Sequence, residues 1–188
     1  MIFCTGFKSD MTGGKALALE SWCTGAGRQF TRFDYQGHGA SSGKFKDGTI
    51  GEWKSDAVAV LDEVTSGPQI VVGSSMGGWI AFLLAVARTE RIAGIVGIAP
   101  AVDFTQALLW PRMTDEARRQ IEEEGVWYRP SEYDPEPYPI TRTLIEEGRN
   151  NLLMPGPIPF HGPVRLIHGM LDEAVPWEHS LKIADAVA

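Results

Sequence analysis

The chain has 188 residues, 44% of them hydrophobic, which is enough for one domain with a sizeable core. Its 24 acidic side chains outnumber 17 Lys and Arg, for a formal net charge of -7, and the basic residues are scattered, which argues against a nucleic-acid partner. No apolar stretch approaches the roughly 18 residues of a membrane span, and the N-terminus lacks a signal peptide's basic start and cleavage site. The expectation is a soluble protein of the cytoplasm, or of the mitochondrial matrix in a eukaryote.

In chain order, "MIFCTGF" reads as a strand that starts at residue 1 and ends at Gly6, so the element is expected to begin upstream. "GKALALESWCTGAG" follows as a helix that stops at Gly25 and Gly27. "QFTRFD" alternates apolar and polar residues as a strand does, then enters the Gly/Ser-rich loop "YQGHGASSGKFKDG". From Thr49 to Ser66, apolar Ile50, Trp53, Ala57, Val60, Leu61 and Val64 recur at helical steps, and Thr49 with Glu52 forms a capping box. "PQIVVG" is a short β-branched run of the kind buried on both faces of a parallel sheet. "MGGWIAFLLAVAR" is a helix apolar almost all round. "RIAGIVGIAP" and "PVRLIHG", at 163 to 169, complete the strands. The alternation predicts a mostly parallel α/β sheet with right-handed crossovers. Cys4 and Cys23 match no metal spacing and are too few for a secreted scaffold, so both read as small buried hydrophobes.

Residues 101 to 161 break the rhythm. They hold Trp110, Trp127, Tyr128, Tyr133 and Tyr138, many prolines, and two charged helical stretches, "DEARRQIEEEG" and "PITRTLIEEGRNNLL". Such an insertion is too long for a simple crossover and is expected to fold as a small helical cap over a pocket. Its aromatics suit an apolar acyl group, although aromatics so spaced more often form a cap's own core.

Gly73-Ser74-Ser75-Met76-Gly77 satisfies G-x-S-x-G between a buried strand and a helix, where the pattern has mechanical meaning. A tight turn there strains the serine backbone and presents its hydroxyl, while the glycines avoid neighbouring chain. Ser75 is therefore the candidate nucleophile, and the N–H of Met76, at a helix N-terminus, one oxyanion-hole donor. Ser74 has the wrong spacing to the glycines. Ser75 as a mere helix cap is the bland alternative.

The chain here resembles the α/β-hydrolase superfamily, in "FCTGFKSD", "RFDYQGHGASSG", "GSSMGGW" and "LIHGMLDEAVP". It looks most like the serine esterase and thioesterase branch that contains a mitochondrial palmitoyl-protein thioesterase, also described as an esterase of acyl glucuronides, and its bacterial relatives. The resemblance implies an α/β-hydrolase fold with an inserted cap and cleavage of carboxylic esters or thioesters through an acyl-enzyme. It makes Asp172 the acid that orients the catalytic histidine, with Glu173 as the neighbouring alternative. It also makes the N–H of Phe7 the second oxyanion donor. Many relatives carry His-Gly before that residue where this chain has Thr5-Gly6, but a backbone donor needs no particular side chain.

A serine nucleophile needs a base, and the chain has four histidines. His38 flanks the site in the family without acting as base; His161 lies at the end of the cap. His168 is expected beneath the Asp172 turn, and His179 exposed near the start of the last helix. The family's histidine follows one more helix and strand after the acid, whereas here one helix follows Asp172. The chain therefore reads as a hydrolase domain lacking both ends, with its histidine expected beyond residue 188 and little activity of its own.

Other readings are weaker. A Walker A match at Gly14-Lys15 fails because Ser9 and Ala16 stand where Gly and Ser or Thr are required. The acidic runs at 122 to 124 and 146 to 147 sit on helical patterns and read as solvated faces. A serine peptidase of the same fold and a non-catalytic hydrolase-like binding protein remain as alternatives. The expected partner is a small-molecule or acylated substrate, and no cofactor or metal is required.

Overall fold

The computed structural model describes residues 1–131 and 135–187. In chain order the elements are β1 (Ile2–Cys4), α1 (Gly14–Gly25), β2 (Thr31–Arg32), α2 (Ile50–Ala59), β3 (Gln69–Ser74), α3 (Met76–Ala87) and β4 (Ile92–Ile98). There follow α4 (Asp115–Glu124), β5 (Val126–Arg129), β6 (Tyr138–Thr141), α5 (Arg142–Gly148), β7 (Val164–Ile167) and α6 (Glu178–Ala186). Among the described residues no helix is long and apolar enough to cross a membrane.

The β-branched runs pair into one parallel sheet of order β2-β1-β3-β4-β7. Cys4 lies opposite Gly73, Ser74 opposite Ile98, and Ile98 opposite Ile167, so the strands reach one edge together. The loops that follow β1, β3, β4 and β7 all leave from that edge. The central position of β3 explains why α3, running back across the sheet, buries every residue from Met76 to Ala85. Trp53, Trp79, Phe82, Ile80 and Leu84 fill the same core. α2 starts at the capping box read from the sequence: Thr49 Oγ1 accepts the N–H of Glu52, and Glu52 Oε2 accepts that of Thr49 at 3.0 Å. Its last turn widens into a π-turn over Val60–Val64. Cys4 and Cys23 are both buried and free, as read from the sequence. Burial pushes the Cys4 thiol up to about 12.

Two departures from the sequence reading have physical causes. The strand expected over "QFTRFD" pairs only at Thr31 and Arg32, because Asp34 turns inward and its carboxylate accepts the N–H groups of Met11 and Ala40 at 2.7 and 3.0 Å. The segment after β4 is not wholly helical either. Val126–Arg129 and Tyr138–Thr141 form an antiparallel ribbon, with Trp127 opposite Ile140. The "PIT" expected in a helix is therefore strand, since aromatic and β-branched residues gain more by cross-strand pairing than by one extra helical turn. The helices beside the ribbon are well terminated. Thr114 caps α4 through the N–H of Ala117, Gly125 ends it at φ 83°, and Thr141 caps α5 through the N–H of Leu144. Leu109, Met113, Ala117, Ile121, Ile140 and Ile145 make a second small core, on which Trp110 and Trp127 pack. Tyr128 points to solvent, and Tyr133 lies outside the described residues.

Candidate active site

Ser75 stands at the junction of β3 and α3 with φ 53° and ψ -122°, a backbone conformation that residues with a β-carbon rarely adopt. Three hydrogen bonds hold it there. Its N–H donates to Ile98 O at 3.0 Å, and its carbonyl accepts from Gly78 N at 2.8 Å and Ala101 N at 2.9 Å. The flanking glycines are required by close approach. A β-carbon on Gly73 would fall 2.2 Å from Gly77 O, and one on Gly77 would fall 2.1 Å from Cys4 O. The elbow is thus wedged against the end of β1. Met76 opens α3, where the first N–H groups have no acceptor within the helix.

Phe7 follows β1 in the adjacent loop. Gly6 abuts the serine, since a β-carbon on Gly6 would touch Ser75 Cβ at 3.4 Å. The half-buried Phe7 ring meets Phe45, Trp53, Phe104 and Tyr138 edge-on, with ring centroids 4.8 to 6.0 Å apart. Phe104 and Tyr138 come from the segment between β4 and β7, so this aromatic wall spans both cores.

Asp172 lies in the loop after β7, two strands from β3 on the same sheet edge. At about 4.8 Å per strand the two positions are separated by roughly 10 Å, so a bridging side chain is needed to couple them. Its Oδ1 accepts the N–H of Val175 at 2.8 Å, closing the turn. Arg112 ties that loop to the segment after β4 by donating to Ala174 O at 3.2 Å.

Among the described residues no histidine is hydrogen-bonded to Ser75. His168 packs beneath the Asp172 turn, as expected, with Nδ1 2.6 Å from Ser180 Oγ and Nε2 2.8 Å from Val175 O. His161 is exposed. His179 corrects the sequence reading: it is 4% exposed, not solvated, and Nε2 donates to Val102 O at 2.8 Å. The first turn of α6 packs against the loop after β4, and burial lowers this imidazole's pKa. His38 is buried in the aromatic wall, and burial lowers its pKa too. Asp103, which no sequence pattern marks, is 3% exposed with φ 57°. Its carboxylate accepts the N–H groups of Leu153 and Met154 at 2.9 and 2.8 Å, while burial raises its pKa. It fastens the end of the long segment to the loop after β4. Among the described residues no group of three or more His, Cys, Asp or Glu is placed to hold a metal ion.

An elbow of this kind, on a parallel sheet of this order, points to hydrolases. A family model described as serine aminopeptidase, S33, of the Hydrolase_4 family, matches residues 2–154. The chain is an α/β-hydrolase of this family. This α/β-hydrolase is 43% identical over 190 residues to the protein named palmitoyl-protein thioesterase ABHD10, mitochondrial, of Bos taurus, covering 100% of this chain and 61% of that protein. The mouse α/β hydrolase domain-containing protein 10 superposes with a TM-score of 0.90 at 42% identity, over 100% of this chain and 75% of that one. A crystal structure of a protein from Agrobacterium vitis S4 gives 0.96 at 44% identity, over 100% and 74%. The chain spans 61% to 63% of the length of the mitochondrial thioesterase relatives it matches.

Proposed function

We propose that this α/β-hydrolase domain serves a serine hydrolase that cleaves carboxylic esters or thioesters of an apolar acyl group. The observation that carries the reading is the Ser75 backbone, held at positive φ between a strand and a helix by glycines that no other residue could replace without collision. Ser75 Oγ attacks the carbonyl carbon, and the oxyanion is stabilised by the N–H groups of Met76 and Phe7. The alcohol or thiol departs with a proton, and water then releases the acid from the acyl-enzyme. Asp172 is the acid that orients the imidazole.

The segment from about residue 101 to 161 acts as the cap, and the ring wall of Phe7, Phe104 and Tyr138 favours an apolar acyl chain over a polar one. The name of these relatives, palmitoyl-protein thioesterase, supports that class. Because no described histidine is hydrogen-bonded to Ser75 and the relatives are longer than this chain, the base is assigned to a histidine that follows Asp172 in the family's Ser, acid, His order. In another serine hydrolase, subtilisin, loss of the histidine lowers turnover on the order of a millionfold.

A fluorophosphonate tests this. The Ser75 Oγ–P bond forms as the P–F bond breaks, fluoride leaves, and the hydroxyl proton passes to buffer. Labelling of the 188-residue chain should be slow, absent in Ser75→Ala, and brisk in a C-terminally extended chain. Brisk labelling of the short chain would overturn the external base. The family's description as serine aminopeptidase favours a second reading as a peptidase, which a comparison of p-nitrophenyl esters with aminoacyl p-nitroanilides separates. Turnover of neither in the extended chain favours a binding protein.

A further inference from the structure

Gly6 is a glycine for neither of the reasons that apply elsewhere in this fold. Its φ is not positive, and a β-carbon on it would meet nothing closer than 3.4 Å, an ordinary contact distance, whereas one on Gly73 or Gly77 would collide with backbone. Conformation and packing would both admit alanine at this position. What surrounds the point where that methyl would stand is Ser75 Cβ at 3.4 Å, Ser74 O at 3.5 Å and Ser9 Oγ at 3.5 Å. Gly6 is buried and Ser9 is exposed, so the point lies between the candidate nucleophile and a hydroxyl open to solvent.

The backbone returns Ser9 to this place. Its N–H donates to Gly6 O at 3.1 Å, closing a four-residue turn that carries the Ser9 side chain back over Gly6. Among the described residues the hydroxyl itself has no hydrogen-bond partner. Its two neighbours around one point put Ser9 Oγ no more than about 7 Å from Ser75 Cβ, and nearer unless they stand on opposite sides of that point. An oxygen on the carbon bonded to Ser75 Oγ stands about 3–3.5 Å from Cβ, and an O–H···O bond spans about 2.5–3.0 Å more. A substrate oxygen on the reacting carbon therefore fits between the two serines, over Gly6.

We propose that Ser9 is a further catalytic residue: its hydroxyl donates a hydrogen bond to an oxygen of the tetrahedral intermediate formed on Ser75, and Gly6 carries no side chain because that oxygen passes over it. The inference rests on reading Ser75 as the nucleophile. A hydroxyl suits the task because it donates to the charge that develops in the transition state without bringing a charge of its own.

Fluorophosphonate labelling kinetics, followed by intact mass, test this on the same chain, since the phosphonyl oxygen takes the place of the substrate oxygen. Ser9→Ala keeps the backbone N–H and its turn and removes only the hydroxyl. The maximal labelling rate should fall about tenfold, less than the hundredfold or more lost with a buried oxyanion donor because Ser9 is open to water, with half-saturating probe concentration unchanged. Ser9→Thr, which restores a hydroxyl, should recover the rate. Gly6→Ala should leave Tm unchanged or raised, yet slow labelling by a hundredfold or more, because its methyl stands where the oxygen passes. A parental rate in Ser9→Ala, a loss there that Ser9→Thr does not restore, or a parental rate in Gly6→Ala would each overturn the proposal while Ser75 stands as nucleophile. Labelling that survives Ser75→Ala would remove the nucleophile itself, and the proposal with it.

Discussion

Gly77→Ala places a methyl group where β1 runs past the elbow. The new Cβ would stand 2.1 Å from Cys4 O and 2.5 Å from Thr5 O. Carbon and oxygen in close contact normally keep about 3.3 Å, so the two backbones must part by roughly 1 Å. Neither can yield by rotating a side chain. β1 is paired on both sides, to β2 and β3, and Ser75 is fixed by its bonds to Ile98, Gly78 and Ala101. The cost should therefore sit at the top of the usual overpacking range, about 3 kcal/mol. For a chain of this length that lowers Tm by roughly 6–12 °C. Thermal and urea unfolding followed by circular dichroism would measure it, with the urea m-value unchanged. Gly14→Ala is the matched control, since a β-carbon there meets nothing within 4 Å and the site is the start of a helix. It should be neutral or stabilising by up to about 1 kcal/mol. A Gly77→Ala stability within about 0.5 kcal/mol of the parent would refute the close-approach argument.

Two further outcomes follow from buried ionisable groups. His38 and His179 both have folded pKa values lowered by burial from 6.5, so their stabilisation is complete above that value and is lost as pH falls through the folded values. The slope should reach up to about 1.4 kcal/mol per pH unit for each imidazole, and Tm should fall between about pH 7.5 and 5.5. A flat Tm across that window would contradict the buried, neutral assignment. Asp103→Ala strips Leu153 and Met154 of their acceptor, and with each half-buried N–H at the low end of the cost of an unsatisfied group, about 1 kcal/mol, stability should drop by about 2 kcal/mol. Faster amide exchange at those two residues, with Asp103→Asn intermediate, is the expected signature; unchanged exchange would mean the carboxylate does not hold the segment.

The elements set by local pattern were legible in the residues. The capping box at Thr49 and Glu52, the all-apolar α3 and the strand over Gln69–Ser74 each follow from neighbours within a turn or two of chain. The ribbon of β5 and β6 was not, because four residues such as "YPIT" carry no decisive period and become strand only when Val126–Arg129 lies alongside. His179 was misjudged for a similar reason: an amphipathic helix end does not say which side meets the loop after β4. Asp103 had no signal, since its role depends on two amides about fifty residues away.

By itself the sequence determined a parallel α/β architecture and the tight strand-to-helix turn at Ser75, because strand period, helix period and the glycines at 73 and 77 act over short stretches. Only the tertiary structure decided that those glycines clear the end of β1, that His38 meets the Lys8 amide, and that no described histidine reaches Ser75. These are contacts between segments tens of residues apart, and their distances follow from how the sheet stacks its strands, which no local pattern encodes.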